Sequence, residues 1–324
     1  MSDERTLVER SHAVCASFVF SQGRTAVSSR TDRSRRAPSV PFRSGFVSFV
    51  GRPNVGKSTL LNQILGKKVS IVSDKVQTTR TQIRGILNRR DAQVVFVDTP
   101  GIHRPRTLLG ERSNEHATST MGDVDVVCFL IDATMPLGKG DRFIAQRTPK
   151  NAILVVNKVD ATSGEEVLRQ LQRAGELEFS EYFPVSATTG DGVDELLAAI
   201  IKRLPEGPAY YPRDTISDTS EAFWVGELVR EQLLHFAQEE LPHSIACVVT
   251  EWEDRENHGP FVRVEILVER ESQKGIVIGH HGSVLKAVGT AVRAELPPGS
   301  FIDLHVKVDK DWQRRAKSLD RLGY

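Results

Sequence analysis

The run Phe46-Val47-Ser48-Phe49-Val50-Gly51-Arg52-Pro53-Asn54-Val55-Gly56-Lys57-Ser58 decides the fold. Its first five residues are mostly apolar and β-prone. The next eight fit G-x-x-x-x-G-K-[ST], and residues 59–65 space their apolar side chains as a helix does. A strand that enters a glycine loop and leaves as a helix is built to hold phosphate. Glycines let the backbone come close, its N–H groups point at the oxygens, and the helix N-terminus adds positive charge. Gly51, Asn54, Val55, Gly56, Lys57, Ser58 and Thr59 form that cradle. Lys57 reaches the β- and γ-phosphates, and Ser58 offers its hydroxyl to Mg²⁺.

Outward from this stretch, apolar runs at 93–97, 124–131, 152–156 and 183–186 alternate with helical patterns, the last at 193–204. They predict an α/β P-loop unit with a mostly parallel sheet and helices on both faces. Pro205, Pro208 and Pro212 interrupt the pattern and read as a linker. Beyond it the sequence predicts a helix over 221–239, strands at 244–251 and 261–269, helices flanking 279–282, and a strand at 301–308. That order, α-β-β-α-α-β, is a separate α+β unit. The expected division is a disordered basic tail at 1–44, a nucleotide domain at 45–204, a linker at 205–220 and a second domain at 221–324.

Composition narrows the classes. Among 324 residues, 43 Lys and Arg face 42 Asp and Glu, a net charge of +1. This excludes a uniformly basic coat and a strongly acidic disordered chain, and leaves room for one local patch. Cys15, Cys128 and Cys247 form no C-x-x-C pair, which argues against zinc and a disulfide framework and for a reducing cytoplasm. No apolar stretch approaches the roughly 18 residues that would span a bilayer.

A P-loop does not choose its base; Asn157-Lys158-Val159-Asp160, directly after the run at 152–156, does. Guanine presents two adjacent donors, and one ionised carboxylate accepts both, so Asp160 selects guanine over adenine. Asn157 braces the loop, and the Lys158 stem covers the ring. Asp98-Thr99-Pro100-Gly101 follows the run at 93–97; Asp98 holds Mg²⁺ through water, and the Gly101 N–H approaches the γ-phosphate. In the polar stretch Gln77-Thr78-Thr79-Arg80-Thr81, Thr79 is the choice for the second Mg²⁺ hydroxyl, with Thr78 close behind. Ser186 and Ala187 are expected to offer backbone N–H groups to guanine O6. No acceptor-substrate site accompanies the loop, which argues against a metabolic kinase.

In the second unit, Gly279-His280-His281-Gly282 fits G-x-x-G between an apolar turn and a helical run at 283–296. Such a loop admits a nucleic-acid backbone, and the next helix offers its N-terminus to phosphate. Residues 272–294 contain Lys274, Lys286 and Arg293 and no acid, although residues 222–324 together carry 16 acidic against 13 basic residues. RNA contact is therefore expected in one groove, through Lys274, Gly279, His280, His281, Gly282 and Lys286. Adjacent histidines without a third partner make a poor metal site.

Together, the wording and order of these segments resemble the bacterial Era GTPases, a resemblance that reaches the ending Ser318-Leu319-Asp320-Arg321-Leu322-Gly323-Tyr324 and covers about 45–324. The second unit resembles a bacterial-type KH domain. The resemblance implies Mg²⁺-dependent hydrolysis of GTP to GDP, with Lys57, Thr79, Gly101 and Asn54 as catalytic positions and Ser58, Thr79 and Asp98 around the metal. It further implies binding of the 3′ end of 16S rRNA, a role in 30S subunit biogenesis, a monomer, and a cytoplasmic location with a peripheral inner-membrane fraction. In Ras-like enzymes a water-positioning glutamine follows the D-x-x-G glycine; here that residue is Ile102, so unaided hydrolysis is expected to be slow. In related GTPases the asparagine equivalent to Asn54 ligates K⁺, which makes K⁺ a further candidate. The alternative is a nucleotide-stabilised scaffold, or a membrane-associated regulatory GTPase, whose KH-like unit binds a protein or membrane surface.

Overall fold

The computed structural model describes residues 41–75, 78–103, 105, 107–236 and 241–324. Most of the expected tail, and Gln77, lie outside the described residues. The last two residues assigned to that tail, Arg43 and Ser44, already belong to the first strand.

β1 (Arg43–Gly51), β3 (Ala92–Asp98), β4 (Val126–Asp132), β5 (Ile153–Asn157) and β6 (Glu181–Val185) are parallel neighbours in a six-stranded sheet ordered β2-β3-β1-β4-β5-β6. β1, β3, β4 and β5 are buried almost throughout, which explains their near-continuous apolar sequences. On one face α1 (Lys57–Leu65) and α5 (Val193–Arg203) close a core around Phe49, Phe96, Leu130 and Val155. On the other, α2 (Leu108–Gly122), α3 (Lys139–Ala145) and α4 (Gly164–Gly175) flank a core around Phe129, Ile131 and Leu154.

β2 (Ile83–Asn88) was not expected. It runs antiparallel to β3 at the sheet edge, so only part of it is buried and its apolar signal is diluted by Arg84 and Gly85. The proline-rich stretch is not a free tether. Tyr210 and Tyr211 donate their N–H groups to Gln93 Oε1 at 2.6 and 2.9 Å, and the carbonyl of Ile216 accepts from Ile86 N at 2.7 Å. Proline removes donors from this segment, and the buried Gln93 side chain supplies an acceptor to the N–H groups that remain.

After α6 (Glu221–Phe236) and the short α7 (Leu241–Ser244), β7 (Ala246–Arg255) and β8 (His258–Val268) pair antiparallel. β9 (Phe301–Val308) adds in parallel to β8. α8 (Glu271–Ile278) and α9 (Ser283–Ala294) cover this sheet with α6, over a core that includes Leu228, Val264, Ile266 and Val292. A final helix, α10 (Ala316–Leu322), was also not expected; Leu319 and Leu322 pack with the fully buried Trp312. Among the described residues no helix is long and apolar enough to cross a membrane.

Candidate nucleotide and nucleic-acid sites

The loops that leave β1, β3, β5 and β6 meet at the carboxyl end of the first sheet, where open parallel sheets place their ligands. A narrow cleft lies there, lined by Asn54, Gly56, Lys57, Ser58, Thr59, Thr79 and Gly101, among others. Gly56 takes φ +95°, and a Cβ on it would lie 2.2 Å from Asn157 Nδ2. Only glycine fits between the phosphate loop and the base loop.

Lys57 is buried at the start of α1 and donates to the carbonyls of Arg52 (3.1 Å) and Gly51 (3.4 Å). Burial pushes its pKa down to about 8, against the opposing pull of Asp98. Asp98 is fully buried, and burial raises its carboxyl above the ordinary range despite Lys57 and three hydroxyl donors. Those donors are Ser58 (2.7 Å), Ser70 (2.9 Å) and Thr79 (3.4 Å), all on Oδ2. Ser58 Oγ and Thr79 Oγ1 are 3.0 Å apart, while Asp98 Oδ1 is buried and has no hydrogen-bond partner. An orphaned carboxylate oxygen beside two convergent hydroxyls is a hard-oxygen donor set that fits Mg²⁺. Anionic phosphate beside Lys57 and a cation beside Asp98 would each restore the charge that burial disfavours. Ser70 stands in no motif and carries no signal in the sequence; Asn62 holds its backbone at both N–H and C=O.

The base loop is organised around Asn157. Its Nδ2 donates to Val55 O at 2.8 Å, and its Oδ1 accepts from Ala187 N at 3.0 Å. The Ser186 N–H goes to Asp191 O at 2.9 Å. Both N–H groups expected to face guanine O6 are thus already donated within the protein. The Ser186 hydroxyl donates to Asp160 Oδ1 at 2.6 Å and orients that carboxylate. Lys158, in a left-handed conformation at φ +68°, pairs its Nζ with Asp132 Oδ2 at 2.7 Å. Asp132 ends β4 beside Asn157 in register, and no sequence motif singles it out.

Two further positions bear on hydrolysis. The Ile102 side chain is buried in the core with Val50 and Ile131, so it is withdrawn from any attacking water. Asn54, at φ +63°, donates its amide to Asp74 O at 2.5 Å and ties the phosphate loop to the segment after α1.

In the second unit, residues 280–282 form one 3-10 turn between α8 and α9. Gly279 and Gly282 have φ +73° and +78°, and His281 also has positive φ, at +49°. The His280 and His281 rings meet edge to face, 4.0 Å apart. Neither these side chains nor those of Lys274 and Lys286 make an ion pair or hydrogen bond with another described residue, which leaves the two lysine ammonium groups available to phosphate. Ile276 on α8 is 55% exposed and places an apolar surface beside the turn; in sequence it is only one member of an apolar run.

Comparison with known proteins places these sites in a family. The family described as 50S ribosome-binding GTPase matches residues 46–158, and that described as KH domain matches residues 240–313. GTPase Era of Streptomyces coelicolor is 46% identical over 317 residues, covering 92% of this chain and 100% of the relative. GTPase Era of Mycolicibacterium smegmatis is 46% identical, covering 87% of this chain and 99% of the relative. A crystal structure of Era in complex with MgGDPNP and nucleotides 1506–1542 of 16S ribosomal RNA superposes with a TM-score of 0.84 at 39% identity, over 87% of this chain and 99% of that one. A variant of Aquifex aeolicus Era bound to GDP and AlF4⁻ gives 0.83 at 38% identity, with the same coverage. A phosphate cradle, a guanine loop and a G-x-x-G turn lie on one chain that matches these relatives over nearly their whole length, and the chain belongs to the GTPase Era family.

Proposed function

We propose that this protein hydrolyses GTP with Mg²⁺ and binds the single-stranded 3′ end of 16S rRNA through its KH domain, in the service of 30S subunit biogenesis. The observation that carries the reading is the convergence of Ser58, Thr79 and Asp98 beside the buried Lys57. Ser58, Thr79 and Asp98 would hold the metal, which neutralises the charge that develops on the phosphate oxygens when bound. Lys57 exchanges its two carbonyl partners for β- and γ-phosphate oxygens, and the Gly101 N–H faces the γ-phosphate. Asp160, held by Ser186, accepts the guanine donors. With Ile102 buried, water must be oriented by backbone, a cation or a partner, so basal turnover is slow.

The loops at 78–81 and 98–101 respond to GTP and alter the placement of the KH domain, whose turn admits the RNA backbone while Ile276 receives a base. The Era relative solved with 16S rRNA nucleotides supports this choice of RNA. Asn54 would hold K⁺ through its Oδ1, since its amide nitrogen is committed to the Asp74 carbonyl, and the ion would supply positive charge beside the phosphates. Equal GTP turnover in Na⁺ and K⁺ buffers would assign Asn54 to bracing alone. With this function we place the protein in the cytoplasm as a monomer with a peripheral inner-membrane fraction, open to test by fractionation and sedimentation.

The deciding experiment measures binding of a 16S 3′-terminal oligonucleotide to the full chain loaded with a GTP analogue or with GDP, alongside GTP and ATP hydrolysis with and without Mg²⁺. Tighter RNA binding in the GTP-analogue state and Mg²⁺-dependent hydrolysis confined to GTP are expected. Nucleotide-independent failure to bind the RNA would overturn the RNA part, and ATP turnover equal to GTP would overturn the base assignment.

A further inference from the structure

Thr79 sits between two residues that the KH side of the molecule holds. On one flank, the carbonyl of Thr78 accepts from an Arg230 guanidinium nitrogen. On the other, Arg80 donates to Ile245 O at 2.5 Å, and its guanidinium lies 5.5 Å from the Trp312 ring and 5.9 Å from the Tyr324 ring. Both arginines are buried, Arg230 completely and Arg80 to within 4%. Arg230 is fixed by Glu227 on the same helix, with contacts of 2.6 and 2.8 Å.

α6 also grips the segment upstream. Glu231 accepts from Val72 N at 2.9 Å and pairs with Lys68 at 2.6 Å. The segment that carries both Ser70 and Thr79 to Asp98 is therefore attached to α6 at residues 68, 72 and 78, and to Ile245 through residue 80. Ahead of this point Val69 and Ile71 are buried, but Thr78, Thr79 and Arg80 are polar and are held by polar partners. A carbonyl fixed by a buried, charge-assisted donor is a strong anchor, and a guanidinium beside two aromatic rings is another.

We propose that Arg230 and Arg80 are positioning residues for the Thr79 hydroxyl, so that the KH domain completes the Mg²⁺ site of the GTP state. This rests on the reading of Thr79 as a metal-binding residue. The coupling works in both directions: whatever displaces α6 from the segment withdraws Thr79 from Ser58 and Asp98, and ordering of Thr79 by metal and γ-phosphate docks α6. GDP binding relies on the phosphate loop and the base loop and is insensitive to these anchors.

The test uses the full chain. GTP hydrolysis is measured against Mg²⁺ concentration for the unmodified protein, for a Glu227→Gln, Arg230→Met double variant, for Arg80→Met and for Thr79→Ala, with GDP affinity measured in parallel. The double variant removes both buried charges together, so neither is stranded without its partner. Arg80→Met acts from the opposite flank and carries the same expectation should the double variant not fold. A rise of about tenfold in the Mg²⁺ concentration for half-maximal hydrolysis is expected for both anchor variants, as for loss of one charge-assisted contact, with GDP affinity unchanged. If Thr79→Ala shifts the Mg²⁺ requirement and the anchor variants do not, the proposal is overturned and the Thr79 reading stands. If Thr79→Ala has no effect, that reading falls and takes the proposal with it. An equal loss of GDP and GTP affinity in the anchor variants would mark general damage to the nucleotide domain and would also overturn it.

Discussion

Asn157 Nδ2 donates to the Val55 carbonyl at 2.8 Å, so the residue that opens the guanine loop also holds the middle of the phosphate loop. The bond is buried and spans 102 residues of sequence, joining the ends of β1 and β5 across the intervening β4. The base and phosphate halves of the cleft are therefore one rigid frame.

Gly56 is the weak point of that frame. In Gly56→Ala the new methyl would lie 2.2 Å from Asn157 Nδ2, and φ +95° disfavours any side chain. The substitution should break the Asn157–Val55 bond and cost about 1–3 kcal/mol of stability. Thermal unfolding and GDP binding should both weaken; a variant with native Tm and native GDP affinity would show that the frame tolerates a Cβ there.

Asp160→Asn keeps the shape of the base loop and its contact with the Ser186 hydroxyl but removes the acceptor charge. Loss of the charge-assisted pair should weaken GTP binding by about 3 kcal/mol, on the order of 100-fold. The amide so introduced offers a donor, so xanthosine triphosphate, with an oxygen at position 2, should lose far less. Competition binding with the two nucleotides checks this.

The two glycines of the G-x-x-G turn are not equivalent targets. A Cβ on Gly279 would lie 2.6 Å from Val284 Cγ2 and 2.8 Å from Val284 N, so Gly279→Asp disrupts the start of α9. A Cβ on Gly282 meets nothing within 4 Å, and only its positive φ is a penalty, about 1 kcal/mol. Gly282→Asp should therefore melt within a few degrees of the native protein yet bind the 16S 3′ oligonucleotide at least about tenfold more weakly, because a carboxylate faces the phosphate path. Native RNA affinity in Gly282→Asp would remove the turn from the interface.

Asp132 carries a pH signature. Burial pushes its carboxyl up, but hydrogen bonds from Lys158 and Thr134 outweigh burial and leave it below the ordinary carboxylate value. A depressed native pKa contributes stability above the unfolded pKa, and that contribution is lost as pH falls through the native value. Asp132→Asn should therefore be less stable than the native protein near neutrality, with the gap closing below the usual carboxylate range. Urea unfolding at pH 7 and at pH 3 measures it; a gap that does not change with pH would separate Asp132 from the effect.

Much of the nucleotide site is legible in the sequence because its chemistry is local. Gly51–Ser58 and Asn157–Asp160 each hold their ligand groups within a few residues, and spacing alone tells which atoms can converge. Ser70 and Asp132 are not legible, since each acquires its role from a partner far along the chain, Asp98 and Lys158 respectively. The edge strand Ile83–Asn88 escapes notice for a related reason: half-buried strands owe their stability to cross-strand neighbours more than to their own composition.

The sequence by itself determined the two fold types, the phosphate loop and the guanine preference, because apolar periodicity and short-range motif spacing are properties of contiguous residues. Only the tertiary structure decided that the N–H groups of Ser186 and Ala187 are already donated, that the proline-rich stretch lies along the first sheet, and that Arg230 and Arg80 grip the segment bearing Thr79. Each of these depends on where a buried polar group finds its partner. A buried polar group must be paired, but the partner is chosen by packing between distant segments, which no local pattern encodes.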